Sequence, residues 1–263
     1  MTQDPPHRAA CWLLASLGLL LLTACPHRRG NQPPETRRFV KPDELLAAMA
    51  QETKRTQSIR AVGVVDMRRR GQRIKAHMVY TAQRPARLRF ETESFFDQPI
   101  SILVLDNTVF SIWDLNKGRF LRGPARPEHI ARMLPVPMQP EAVVGLLMGE
   151  PPLIAFDQAR IEWKKEKGLF LLTLSKDKQI QEILVDPISM HPVEAKVWTD
   201  GETYFTLKYK DWQGFLPRKV EFEMPGEKMK LKLRIKEVEV DPKLDDSLFQ
   251  LTPPPGIAIE ELE

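Results

Sequence analysis

The side chains best suited to metal binding or proton transfer near neutral pH are five histidines, His7, His27, His77, His129 and His191. No two of them stand four residues apart, as a pair of ligands on one helix face would. His77 falls on the polar side of a strand pattern, His129 follows a proline and an acid at a helix start, and His191 precedes Pro192 in a turn. The sequence contains no Gly-x-Ser-x-Gly elbow and no glycine-rich phosphate loop. Adjacent carboxylates at Asp245 and Asp246 read as a solvated surface turn ahead of Leu248 and Phe249. The expectation is a protein with no catalytic residues, no metal ligands and no cofactor, which is to say not an enzyme.

Cysteine chemistry points elsewhere. The two cysteines are Cys11 and Cys25, at the two ends of the apolar stretch "CWLLASLGLLLLTAC", after which the character changes at once to "PHRRGNQPPETRR". From Cys11 to Ala24 the run is about 14 residues, too short for a permanent membrane span but the length of a secretory signal's apolar core. Cys11 leaves with that segment, so the mature chain has no partner for a disulfide. Leu22-Thr23-Ala24-Cys25 resembles the lipobox of bacterial lipoproteins, although the leader carries Asp4 against Arg8. That resemblance implies a signal peptide over 1–24 and acyl chains, palmitate among them, on Cys25. Pro26 stands where an aspartate retains enteric lipoproteins at the inner membrane. The implied location is therefore the outer membrane, lipid-anchored and facing the periplasm.

Composition supports an ordinary folded domain, with 42% apolar and 28% charged residues and a net charge of +4. So small a basic excess makes no case for nucleic acid. Residues 25–42 read as the lipidated cysteine and a flexible tether, because Pro26 to Arg38 holds three prolines and four arginines and no apolar period.

From Lys41 the spacing turns helical, with Pro42 and Asp43 as a start and Leu45, Leu46, Met49 and Ala50 on one side, predicting a helix over 43–57. The period then becomes two. In "RIKAHMVYTA", Ile74, Ala76, Met78 and Tyr80 share one face, and in "ARLRFE" Leu88 and Phe90 oppose Arg87 and Arg89. Turns are placed at "GQ", "DN" and "NKG". Two short helices interrupt the strands in "PEHIARMLPV" and "QPEAVVGLLMGE", each opening with proline and an acid. Strands resume to the end, the most regular being "KMKLKLRIKEVEV", where the phase slip at Glu237 reads as a bulge. The predicted architecture is mainly β: one strongly curved antiparallel sheet of about 11 or 12 strands, an open half-barrel covered by the first helix and the helical insertion. A transmembrane barrel is disfavoured by the apolar helices and the 23 prolines.

The order helix, strands, helical insertion, strands, together with "YKDWQGFLPRKVEF" and "VDPKLDDSLFQLTPPPGI", resembles the LolA/LolB superfamily of periplasmic lipoprotein carriers and outer-membrane acceptors. The likeness spans 43–258, leaving 259–263 as an acidic tail. Cys25 favours the lipoprotein branch, LolB, but its tryptophan-rich opening strand is missing, and an uncharacterised LolA-like lipoprotein family fits as well. The resemblance implies an apolar cavity for lipid or lipoprotein acyl chains, acting in lipoprotein localisation or insertion, with lipoprotein cargo and a soluble LolA-like carrier as partners. The alternative is a LolA-like lipoprotein that transports nothing and serves as sensor or scaffold in an envelope complex.

On the same resemblance, Met78, Tyr80, Leu88, Phe90, Ile102, Val104, Trp113, Leu231 and Leu233 are the candidate cavity wall, with plain core as the other reading of each. In LolB a loop projects an apolar residue that inserts cargo into the membrane, and Phe96 with Phe95 matches it by position. This loop has phenylalanine where the family has leucine, and Glu91, Glu93 and Asp97 lie close by. The other reading puts both rings in the core under the helices.

Overall fold

A computed structural model describes residues 41–96, 98–131 and 138–263. Cys25, the segment 1–24 and most of the tether lie outside these residues, as does Asp97. Helix α1 runs Pro42–Thr53, with Pro42 at its first position and Asp43 and Glu44 in the first turn, where acids complement the helix dipole. It ends earlier than the expected 57, with Lys54 as its last hydrogen-bonded residue, and the chain is extended again by Ser58.

The first run of strands is β1 (Ser58–Arg69), β2 (Gln72–Gln83), β3 (Arg87–Glu93), β4 (Pro99–Asp106), β5 (Val109–Asp114) and β6 (Arg119–Pro124). Helices α2 (Pro127–Ile130) and α3 (Pro140–Leu147) follow. The second run is β7 (Gln158–Lys164), β8 (Leu169–Lys176), β9 (Gln179–Val185), β10 (Pro192–Thr199), β11 (Glu202–Gln213), β12 (Leu216–Met224) and β13 (Met229–Val240), and β14 (Ile259–Glu261) closes the list. All belong to one sheet, in the order β14-β6-β5-β4-β3-β2-β1-β13-β12-β11-β10-β9-β8-β7. Two antiparallel meanders are thus joined along β1 and β13, in a strongly curved sheet that does not close.

Two expectations need correction. The last residues are not a free acidic tail: β14 pairs in parallel with β6, Ile259 opposite Phe120, and Leu262 is buried against Gly123. The sheet is therefore mixed and has 14 strands rather than 11 or 12.

The bulge is where the phase slip placed it. Glu237 pairs with Val62 and Ile235 with Gly63, leaving Lys236 as the extra residue. Gly63 is required there, since a Cβ would lie 2.1 Å from the Arg234 carbonyl oxygen. At the far end of the same seam the Asp241 carboxylate accepts hydrogen bonds from the backbone N–H groups of Gln57 and Ser58, at 2.9 and 2.8 Å.

The inner face holds one continuous apolar cluster, with α1 contributing Leu45 and Met49, and α3 contributing Val143, Val144, Leu146 and Leu147. A second, smaller cluster lies on the outer face, where the segment after β13 crosses β4 to β6 and buries Phe249 and Leu251 against Val104 and Phe120. Arg87 stacks over the Phe249 ring at 4.3 Å while binding Asp106 and Asp246 at 3.0 and 2.8 Å. Both clusters are built from residues between Leu45 and Leu262, so the domain from residue 41 onward carries its own core.

His191 stacks flat on Trp212, with ring centroids 4.0 Å apart. Burial holds its pKa below the usual histidine value, against the weaker opposing pull of Glu52 and Asp186. A base whose folded pKa is depressed stabilises the fold fully above its unfolded pKa and loses that contribution as pH falls through the folded value. Melting temperature should therefore fall between pH 7.5 and about pH 5. His191→Phe, which keeps the stacking and removes the charge, should give a shallower fall; equal slopes in the two proteins would count against this assignment.

Candidate functional site

Between the inner face of β1 to β4 and β13 and the underside of α3 lies a cavity of about 170 Å³. Its sheet wall is made by Val65 and Met67 of β1, Ile74 of β2, Leu88, Phe90 and Thr92 of β3, Ile100, Ser101 and Leu103 of β4, and Leu231 and Leu233 of β13. Val143, Leu146 and Leu147 of α3 form the roof. The two hydroxyls in this wall satisfy each other, Thr92 Oγ1 and Ser101 Oγ being 2.8 Å apart. No charged side chain lines the space among the described residues. Such a wall offers a hydrocarbon chain dispersion contacts and escape from water, and offers a polar ligand nothing to hold. Ile74 is 46% exposed, so the cavity opens toward the β1–β2 turn.

The roof is a short helix that is apolar on nearly every side, a pattern that only burial can satisfy. It is held by polar contacts at its C-terminal end, where helical carbonyls lack intrahelical partners. Tyr209 donates its hydroxyl to the Glu150 carbonyl at 2.8 Å and to that of Leu146 at 3.3 Å, and Tyr80 donates to the Leu147 carbonyl at 3.4 Å. Burial pushes both phenols well above the usual tyrosine pKa, with Glu150 adding to the effect at Tyr209, so both stay protonated donors. Arg84 completes the clamp, binding the Glu150 carboxylate at 2.7 Å and the carbonyls of Thr53 and Thr56 at the end of α1 at 3.3 and 3.0 Å. Gly149 makes the turn possible: its φ is +91°, and a Cβ would meet the Trp212 ring at 2.6 Å.

Of the residues expected at the wall, Leu88, Phe90, Leu231 and Leu233 lie on it. Met78 and Tyr80 share that face but are buried in the core beyond the cavity, Tyr80 stacked on Phe90 at 5.9 Å. Ile102, Val104 and Trp113 are corrected. They point to the outer face, where Val104 is buried with Phe249 and Leu251 and the other two pack against that cluster. The inner residues of these strands are Leu103 and Leu105 facing Ile112 and Phe110. The roof residues were not singled out, although the unbroken apolar run "AVVGLLM" marks them as covered on all sides.

Neither ring of the β3–β4 loop lies under the helices. Phe96 is 87% exposed and Phe95 47%. Phe95 turns toward β2, its ring edge-on to His77 at 4.6 Å and with Lys75 Nζ 5.5 Å from its centre.

An open curved sheet with a helical roof over an apolar cavity defines a class, the LolA-like fold, and solved structures share it. A DUF1329 family protein from Desulfovibrio piger aligns with a TM-score of 0.53 at 12% identity, covering 80% of this chain and 95% of its own. An outer membrane lipoprotein-sorting protein domain from Vibrio parahaemolyticus aligns with a TM-score of 0.52 at 9% identity over 80% and 97%. A LolA superfamily protein from Nitrosomonas europaea gives 0.50 at 10% identity over 81% and 99%. No protein-family model and no curated protein matches the sequence. At these identities the likeness is one of fold.

Tyr209→Phe should cost about 1–2 kcal/mol in chemical denaturation, because the part-buried Glu150 carbonyl is left without its donor while that of Leu146 keeps the Gly149 N–H. Tyr80→Phe, which loses a longer bond, should cost less. Hydrogen exchange over 142–148 should accelerate in the double variant ahead of the strands that flank it.

Proposed function

We propose that this protein is a lipoprotein anchored at the outer membrane through acyl chains on Cys25, whose cavity receives acyl chains of a lipid or of lipoprotein cargo handed over by a soluble LolA-like carrier. The observation that supports this reading best is the wall itself, apolar throughout, with its two hydroxyls turned on each other. The outer membrane lipoprotein-sorting domain and the LolA superfamily protein of the same fold lend it plausibility. Phe96 would enter the bilayer next to the open end, contributing roughly 1.5–3 kcal/mol on leaving water, and the half-exposed Phe95 beside it would add less. The role is binding and transfer, without a catalytic step.

One observation favours the second reading, a sensor or scaffold subunit that carries no cargo. At about 170 Å³ the cavity is smaller than the roughly 300–1,000 Å³ of sites that enclose a whole ligand. As it stands it holds a segment of chain, and a complete acyl group needs α3 to lift.

Protein beginning at residue 39, extracted and examined by mass spectrometry, should release bound lipid or should saturate with an environment-sensitive fatty-acid probe. Leu233→Trp, which fills the cavity from β13, should abolish probe binding while the protein still unfolds cooperatively. Absence of binding in the unsubstituted protein would favour the scaffold. For the anchor, Cys25→Ala should leave the protein unprocessed or release it from the outer-membrane fraction; a variant processed and fully membrane-bound would refute acylation at that residue.

A further inference from the structure

The outer face beside the cavity's open end carries an arrangement that stability alone does not favour. In the register of β13, β1 and β2, Lys230 stands directly opposite Arg68, and Arg68 directly opposite Arg73. Three cations in one cross-strand row repel one another, since directly opposed like charges destabilise a sheet. The next row sets Lys232 and Lys75 on either side of Asp66. Beyond them the turn adds Arg70, whose side chain is 67% exposed.

Carboxylates are present but do not cancel this charge. Asp66 binds Arg73 at 2.7 Å, Glu223 binds Lys230 at 2.7 Å, Glu221 binds Lys232 at 3.5 Å, and Glu227 is shared between Arg69 and Arg70 at 3.0 and 2.9 Å, which leaves more cations than carboxylates. Arg68 forms no ion pair among the described residues, and Lys75 lies over the Phe95 ring. Lys75 brings this patch to the loop that carries the 87% exposed Phe96, and Arg68 and Arg73 neighbour Met67 and Ile74 at the cavity mouth along their strands. An exposed aromatic beside a cluster of arginine and lysine fits a bilayer interface, where the ring enters the acyl boundary and the cations meet phosphate headgroups.

We propose that the end of the domain at which the cavity opens docks on an anionic phospholipid surface, with Arg68, Arg70, Arg73 and Lys75 meeting headgroups around the inserted Phe96. The inference rests on the membrane docking proposed above and adds its lipid selectivity. Cost and purpose then agree: repulsion within the row is relieved when negative headgroups cover it.

The test is co-flotation of the protein beginning at residue 39 with vesicles of phosphatidylcholine alone or of phosphatidylcholine mixed with phosphatidylglycerol. The unsubstituted protein should bind the anionic vesicles at least about tenfold more strongly, with the preference shrinking as salt rises. The variant R68Q/R70Q/K75Q should lose that preference and keep the weaker binding to neutral vesicles, whereas Phe96→Ser should weaken binding to both. The melting temperature of R68Q/R70Q/K75Q should hold or rise by about 1–3 °C, because like charges have been removed; a purely structural patch would melt lower. Equal binding of the unsubstituted protein to both vesicles, or an undiminished preference in the charge variant, would overturn the inference and leave docking through Phe96 standing. Binding to neither vesicle would overturn both.

Discussion

Everything about the cavity depends on how the C-terminal end of α3 is held. A helix of eight residues has almost no stability of its own, and this one, apolar on nearly all sides, belongs wherever it is buried. Hydrophobic contact is non-directional and would tolerate many placements over the inner face. The hydroxyls of Tyr80 and Tyr209 and the part-exposed Arg84–Glu150 pair supply the direction, satisfying carbonyls at the helix end and linking it to α1. They hold only one end. The rest of the roof rests on apolar contact alone, through Val143, Val144, Leu146 and Leu147.

The same sheet keeps two apolar clusters apart. The inner one is shared between core and cavity, while the outer one, under the segment that carries Phe249 and Leu251, is core alone. Strands β4 and β5 are therefore covered on both sides, whereas β1 and β2 are covered only within and expose a charged outer face. The clamp of Arg87 on Phe249 backs β3 and β4 at the end where Arg87 faces Asp106, the end away from the loop that bears Phe96.

Period-two alternation made most strands legible, and it failed where its premise failed. In β13 the alternation of Met229, Leu231, Leu233 and Ile235 with cations located the inner face and even the bulge. In β4 the run Ile102, Leu103, Val104, Leu105 is apolar at every position, so nothing in it says which side is inner. Ile102, Val104 and Trp113 were consistent among themselves and were assigned to the wrong side. What covers their side arrives from more than a hundred residues further along the chain, and no local pattern carries that. Strand β14 was missed for a similar reason: three residues, two of them glutamates, pair with β6 because Leu262 anchors them, and one leucine among acids is a faint signal. The loop phenylalanines were noticed by type, but their exposure is a property of the fold.

The seam between β1 and β13 also sets the order in which this chain can mature. The meander β1 to β6 uses neighbours close in sequence and can assemble as it emerges, yet its first strand remains an open edge until nearly the whole chain has followed. During that interval β1 presents unpaired backbone groups, and the inner face lacks both α3 and β13 to cover it. Asp241, which ties the end of β13 to the backbone at Gln57 and Ser58, acts only at the last moment. A chain that threads across a membrane from its N-terminus would thus spend its transit as a half-sheet with an adhesive border, dependent on holding factors until its final strand is released.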